Sequence, residues 1–74
     1  MSRPPAHATV LASSVLAAMT YSLDATLDLV FRSGRIYRYV AVPPSIVEGL
    51  IAAESKGAYF NRHVRTRFRG QRVA

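Results

Sequence analysis

The sequence predicts an α+β domain in which a three-stranded antiparallel meander is followed by two helices (β-β-β-α-α). Three observations predict it. Apolar and polar residues alternate from Thr26 to Arg32 and again from Arg35 to Val42, with Ser33-Gly34 between the two runs. Pro43-Pro44 then ends the alternation, because proline donates no ladder hydrogen bond. Immediately afterwards Ile46, Val47, Leu50, Ile51 and Ala53 take up the spacing of an amphipathic helix.

Taken in order, residues 1–10 carry Pro4-Pro5 and small polar side chains and read as a flexible N-terminal tail, leaving 11–74 as a single domain. Arg3 followed by the apolar run from Ala8 to Met19 faintly resembles a secretory leader. Thr9, Ser13 and Ser14 interrupt that run, so none is expected. Ser14–Tyr21 is the first strand, and Ser22-Leu23-Asp24-Ala25 a turn. The second strand, Thr26–Arg32, sets Leu27, Leu29 and Phe31 on one face and Asp28, Val30 and Arg32 on the other. Ser33-Gly34 is a two-residue hairpin connection with Gly supplying positive φ. The third strand, Arg35–Val42, sets Tyr37, Tyr39 and Ala41 against Ile36, Arg38, Val40 and Val42.

The first helix starts at Pro44 or Ser45, where proline is tolerated, and runs to Glu54. Gly49 within it costs about 1 kcal/mol relative to Ala, which implies a close approach to the sheet. Ser55-Lys56-Gly57 breaks the helix, with Gly57 expected as a left-handed cap. A second helix runs from Ala58 to Arg65 or a little beyond.

Composition limits the function classes. A chain of 74 residues buries only about 60% of its unfolded surface, which excludes a large enzyme with a deep cleft. With no cysteine, disulfides, Cys-ligated zinc and thiol nucleophiles are all absent. No run approaches the ~20 apolar residues of a membrane span, and a cytoplasmic location is expected. Ten Lys and Arg against four Asp and Glu give a net charge of +6. All four acids precede residue 55, whereas Lys56, Arg62, Arg65, Arg67, Arg69 and Arg72 follow it. Such a concentration of guanidinium groups fits a polyanionic partner; the alternative is a solvated face that keeps the protein dissolved.

At ~100° per residue from Phe60, Val64 and Phe68 fall on one apolar side of the second helix, and Arg62, Arg65, Arg69 and Arg72 fall between ~120° and ~200° as a stripe. No acid interrupts this segment, unlike a merely soluble helix with Glu–Lys pairs. Arg67 lands near the apolar side, so the helix is expected to end or loosen around Thr66. Tyr37 and Tyr39 carry two readings: a platform for stacked bases, or a core wall beside Leu27, Leu29 and Phe31 with hydroxyls at its rim. Asn61 reads as a backbone or phosphate partner. His7 and His63 have no nucleophile or carboxylate at a spacing that would build a catalytic or metal site, and there is no glycine-rich phosphate loop. Neither catalysis nor a cofactor is expected.

Several short motifs then carry a resemblance over Ser13 to Arg72. They are Ser13-Ser14, Tyr21, the run Leu29-Val30-Phe31-Arg32-Ser33-Gly34, the central Tyr37-Arg38-Tyr39, Val42-Pro43, Ser55-Lys56-Gly57-Ala58-Tyr59-Phe60-Asn61, and Val64-Arg65. In this order and spacing the chain resembles the KTSC domain, a short bacterial domain found at the C-terminus of some lysyl-tRNA synthetases and also alone. It departs from the pattern at Ser22, where an Asp often follows the Tyr, and at Phe68, where a Tyr is expected. The resemblance implies RNA binding only through the company the domain keeps.

The reading is a small nucleic-acid-binding domain, for RNA or DNA, that contacts phosphates through Lys56, Arg62, Arg65, Arg69 and Arg72, with Tyr37, Tyr39 and Asn61 as secondary candidates. The alternative is a protein-interaction module. Leu16, Ala18, Val30, Ile36, Val40 and Val42 lie on strand faces that the helices are not expected to cover, and a homodimer would bury such a patch.

Overall fold

The computed structural model describes residues 7–74, and its sheet has five strands rather than the expected three. The elements are β1 (His7–Val10), β2 (Leu16–Tyr21), β3 (Leu27–Phe31), β4 (Ile36–Tyr39), α1 (Pro44–Ala52), α2 (Lys56–Tyr59), a π-helical turn (Phe60–Arg65) and β5 (Gly70–Arg72). Neighbouring strands follow chain order, and every pairing is antiparallel. The α+β class therefore stands, but the three-stranded β-β-β-α-α meander is corrected to four strands, two helices and a returning fifth strand. Residues 7–10, assigned to the tail by the sequence, pair with Ala18–Tyr21 as β1; the rest of that segment lies outside the described residues.

The central hairpin follows from local chemistry. Gly34 adopts φ 95° and donates its N–H to the Phe31 carbonyl, closing the turn between β3 and β4. Leu29 stands opposite Tyr37 and Leu27 opposite Tyr39, so both pairs share the face toward the helices. β4 ends at Tyr39, short of the expected Val42, because Ala41 takes a left-handed conformation (φ 57°) that turns the chain inward. Val42 is thereby fully buried, and its carbonyl accepts the Tyr21 hydroxyl. A register shift between Leu16 and Ala18 likewise aligns Leu16 with Phe31 and buries it. Neither residue belongs to the open face to which the alternation assigned it.

α1 starts with Pro44 in its first turn and presents Val47 and Leu50 to the sheet. The chain leaves it through an extended Ala53, and the Ser55 hydroxyl caps α2 by accepting the Ala58 N–H at 3.3 Å. Gly57 is not the left-handed cap, since Gly34 is the one glycine with positive φ among the described residues. It lies inside α2, where an added Cβ would sit 3.3 Å from Val15. The core is a single cluster that includes Leu16, Met19, Leu27, Leu29, Leu50, Phe60 and Val64; each large side chain contributes about 1.5–3 kcal/mol. Helices cover one sheet face only. On the other, Ala18, Val30 and Ile36 align in one row, with Val10 opposite Ala18.

Candidate functional site

Where β3 and β4 meet the π-helical turn, four aromatic rings interlock. Phe31 packs edge-on against Tyr37 (centroids 5.7 Å apart) and against Phe60 (5.3 Å), and Phe60 packs edge-on against Tyr39 (5.8 Å). The edge-to-face arrangement sets the positive ring edge of one against the negative face of the next. These rings form the floor of an open groove of about 990 Å³. Its rim is built from the Ala12–Val15 loop, Ser33 and Arg35 of the hairpin, Glu54–Ala58, Asn61 and Arg65 of the π-helical turn, and Gly70 of β5.

Short-range polar contacts hold this rim in place. The Ser13 hydroxyl accepts the N–H groups of Val15 and Leu16 at 3.1 and 3.2 Å, and the Arg32 Nε donates to the Ser13 carbonyl at 2.9 Å. Lys56 Nζ donates to the Ala53 carbonyl at 2.8 Å, near the carboxyl end of α1, and retains two further N–H donors. In the π-helical turn Phe60 and Val64 are buried, which places Asn61 and Arg65, each one position further on, toward the outside. Both line the groove.

The groove is cationic. Arg35, Lys56 and Arg65 lie on its rim with Glu54 as the sole acid among its lining residues. The one ion pair among the described residues joins Arg38 to Asp28 at 2.9 Å, on the opposite sheet face, so none of the three groove cations has a carboxylate partner there. Two of the four tyrosine hydroxyls are equally uncommitted. Tyr21 and Tyr59 donate to the carbonyls of Val42 and Ile46, whereas Tyr37 and Tyr39 make no protein hydrogen bond among the described residues. Burial raises the Tyr39 pKa above its ordinary value, the neighbouring Tyr37 adds to the rise, and the Arg65 guanidinium opposes it.

Five of the sequence candidates therefore converge: Lys56, Arg65, Asn61, Tyr37 and Tyr39. The core reading of the tyrosines also holds, since Tyr39 is only 4% exposed and Tyr37 packs against the core cluster. Arg62, Arg69 and Arg72 are exposed but do not line the groove. The single helical stripe of Arg62, Arg65, Arg69 and Arg72 is corrected. The helix ends at Arg65, and Arg72 lies on β5 opposite Tyr37, so wheel angles lose their meaning beyond Thr66. Arg35 was missed as a site residue. Its signal was present, because strand alternation places it on the face of Tyr37 and Tyr39. His63 packs against Tyr59 in a tilted arrangement (centroids 4.5 Å apart, planes at 39°) and stands apart from the groove. Among the described residues no cluster of His, Asp or Glu could hold a metal ion, and no helix is long and apolar enough to cross a membrane.

The KTSC domain pattern matches residues 12–68, which include every element from β2 to the π-helical turn. The chain belongs to the KTSC domain family. It is 43% identical over 53 residues to an uncharacterized protein from Stutzerimonas stutzeri, a match covering 70% of this chain and 75% of that one. It is also 41% identical over 49 residues to a lysine–tRNA ligase from Nostoc punctiforme; the match covers 66% of this chain but only 9% of the ligase. A crystal structure of a KTSC domain protein from Yersinia pestis superposes with a TM-score of 0.85 at 23% identity, covering 92% of this chain and 97% of that one. That likeness establishes a shared fold. Within this KTSC domain the family-like motifs divide by role. Ser13, Tyr21, Gly34, Ser55 and Tyr59 stabilise turns, caps and packing, while Tyr37, Tyr39, Lys56, Asn61 and Arg65 meet at the groove.

Proposed function

We propose that this KTSC domain binds nucleic acid, RNA or DNA, and that Lys56 and Arg65 contact its phosphates from the groove. Arg62, Arg69 and Arg72, exposed outside the groove, contact further phosphates and add a cationic field that speeds encounter. The observation that carries the reading is the convergence of Arg35, Lys56 and Arg65 over an aromatic floor without carboxylate partners. Similarity to part of a lysine–tRNA ligase supports it by association. The reading is of a binding domain without catalysis, set in the bacterial cytoplasm. A gel-shift panel of duplex and single-stranded DNA and RNA at two salt concentrations tests it. Binding should fall steeply with salt, and replacing Arg62, Arg65 and Arg69 together by Gln should lower the log–log slope by about 0.7–0.9 for each phosphate no longer neutralised. Absence of binding to all of them at low salt overturns the proposal.

A second reading, homodimerisation, draws on the open sheet face. Val10 is 84% exposed there, in one row with Ala18 and the half-buried Val30 and Ile36. An apolar row of this kind is unusual on a small monomer. Sedimentation at micromolar concentration tests it: a dimer that Val30→Lys dissociates supports the reading, and a monomer ends it.

A further inference from the structure

Resting on the nucleic-acid reading above, we infer that the groove takes an unpaired nucleotide of a single strand, its base on the Tyr37 ring and its phosphate among Arg35, Lys56 and Arg65. The first reason is shape. A concave volume of about 990 Å³ lies at the top of the ~300–1,000 Å³ range of sites that enclose small ligands. A duplex offers such a site only its outer phosphates, because its bases are stacked inside and cannot reach an aromatic floor. An unpaired base can, and stacking on an aromatic side chain is how single strands are held without regard to sequence.

The second reason is the chemistry of the lining. If the groove held phosphate alone, cations would suffice. Here Tyr37 is half-buried with its ring on the floor, and neither its hydroxyl nor that of Tyr39 is engaged by a protein acceptor among the described residues. The other two tyrosine hydroxyls are bonded to backbone carbonyls. Two free hydroxyls, the Asn61 amide and three cations without carboxylate partners match a ligand with a planar ring, a polar edge and an anionic group. Arg62 and Arg69, exposed outside the groove, contact strand phosphates beyond that nucleotide and do not distinguish paired from unpaired nucleic acid.

The chain has no tryptophan and four tyrosines, so the part of the emission quench that Tyr37→Leu abolishes reports stacking on that ring. Titrations use a short single-stranded oligoadenylate, a blunt RNA duplex of equal length, adenosine monophosphate and inorganic phosphate. The single strand should bind about tenfold tighter than the duplex and quench emission, as befits one base–aromatic stack. Adenosine monophosphate should displace it at concentrations where inorganic phosphate does not. Tyr37→Leu, checked by circular dichroism, should remove the preference for the single strand, whereas Arg65→Gln should weaken single strand and duplex alike. Arg62→Gln should weaken both forms by a small, equal factor. Equal affinity for duplex and single strand, or displacement by inorganic phosphate as effective as by the nucleotide, overturns the inference while leaving nucleic-acid binding intact. Absence of binding to any probe overturns both. Should Tyr37→Leu fail to fold, the comparison of single strand with duplex and the phosphate competition still decide the matter.

Discussion

Gly49 offers a prediction whose sign runs against helix propensity. In an exposed helix interior, Gly→Ala stabilises by about 1 kcal/mol. In α1, however, an added Cβ would sit 2.6 Å from Cζ and 2.8 Å from Cε2 of Tyr59, and nearer still to its hydroxyl. The ring must swing away. That breaks the 2.9 Å hydrogen bond from Tyr59 to the Ile46 carbonyl, about 1 kcal/mol. It also separates Tyr59 from His63, a ring contact at 4.5 Å, for about 1 kcal/mol more. Set against the helical gain, Gly49→Ala should destabilise the domain by about 1 kcal/mol. With a urea dependence of about 1 kcal/mol per molar for so small a domain, the unfolding midpoint should fall by about 1 M. In a Tyr59→Leu background the obstruction is gone, and the same substitution should raise stability by about 1 kcal/mol. The resulting coupling of about 2 kcal/mol is well above what independent sites show. A higher midpoint for Gly49→Ala in the unaltered protein would refute the packing account.

Gly70→Ala should be worse tolerated, because its Cβ would meet the buried Tyr39 ring at 2.7 Å from Cζ; loss of β5 protection in hydrogen exchange is the readout. Tyr21→Phe removes the donor to the Val42 carbonyl and should cost about 1 kcal/mol in urea denaturation with the fold intact. Tyr39 has a raised pKa in the folded state. Its contribution to stability is complete below the ordinary tyrosine value of 10.0 and is lost as pH climbs through its own higher value. Arg65→Gln removes the charge that opposes this rise, so tyrosinate absorbance should show one hydroxyl ionising at still higher pH.

The parts of the fold legible in the sequence are those set by neighbouring residues. Alternation around Ser33-Gly34 reveals the hairpin, and Pro44 reveals the start of α1, because turn geometry and the missing N–H act within a few residues. β1 and β5 were not legible. His7–Val10 and Gly70–Arg72 are short edge strands with little apolar pattern, and only pairing with distant partners makes them strands. The site divides in the same way. Lys56 could be chosen from charge, Arg65 from charge and helical spacing, and Asn61 as a local polar partner following Gly57. Arg35 was legible too, from the strand alternation it shares with Tyr37 and Tyr39, whereas Arg72 proves to be a β5 residue opposite Tyr37 and outside the groove lining.

Sheet order that copies chain order has a kinetic consequence. Each pairing from β1 to β4 closes only a short loop, which is the pattern of fast-folding chains. The pairing of β4 with β5 is different, because Tyr39 must find Gly70 after α1, α2 and the π-helical turn have come between them. Loop-closure entropy makes this the late step. The groove needs β4, α2, the π-helical turn and Gly70 together, so it is assembled last, on a hairpin already formed. As a three-residue edge strand, β5 can fray in the reverse order, opening the binding surface while β2, β3 and β4 stay paired.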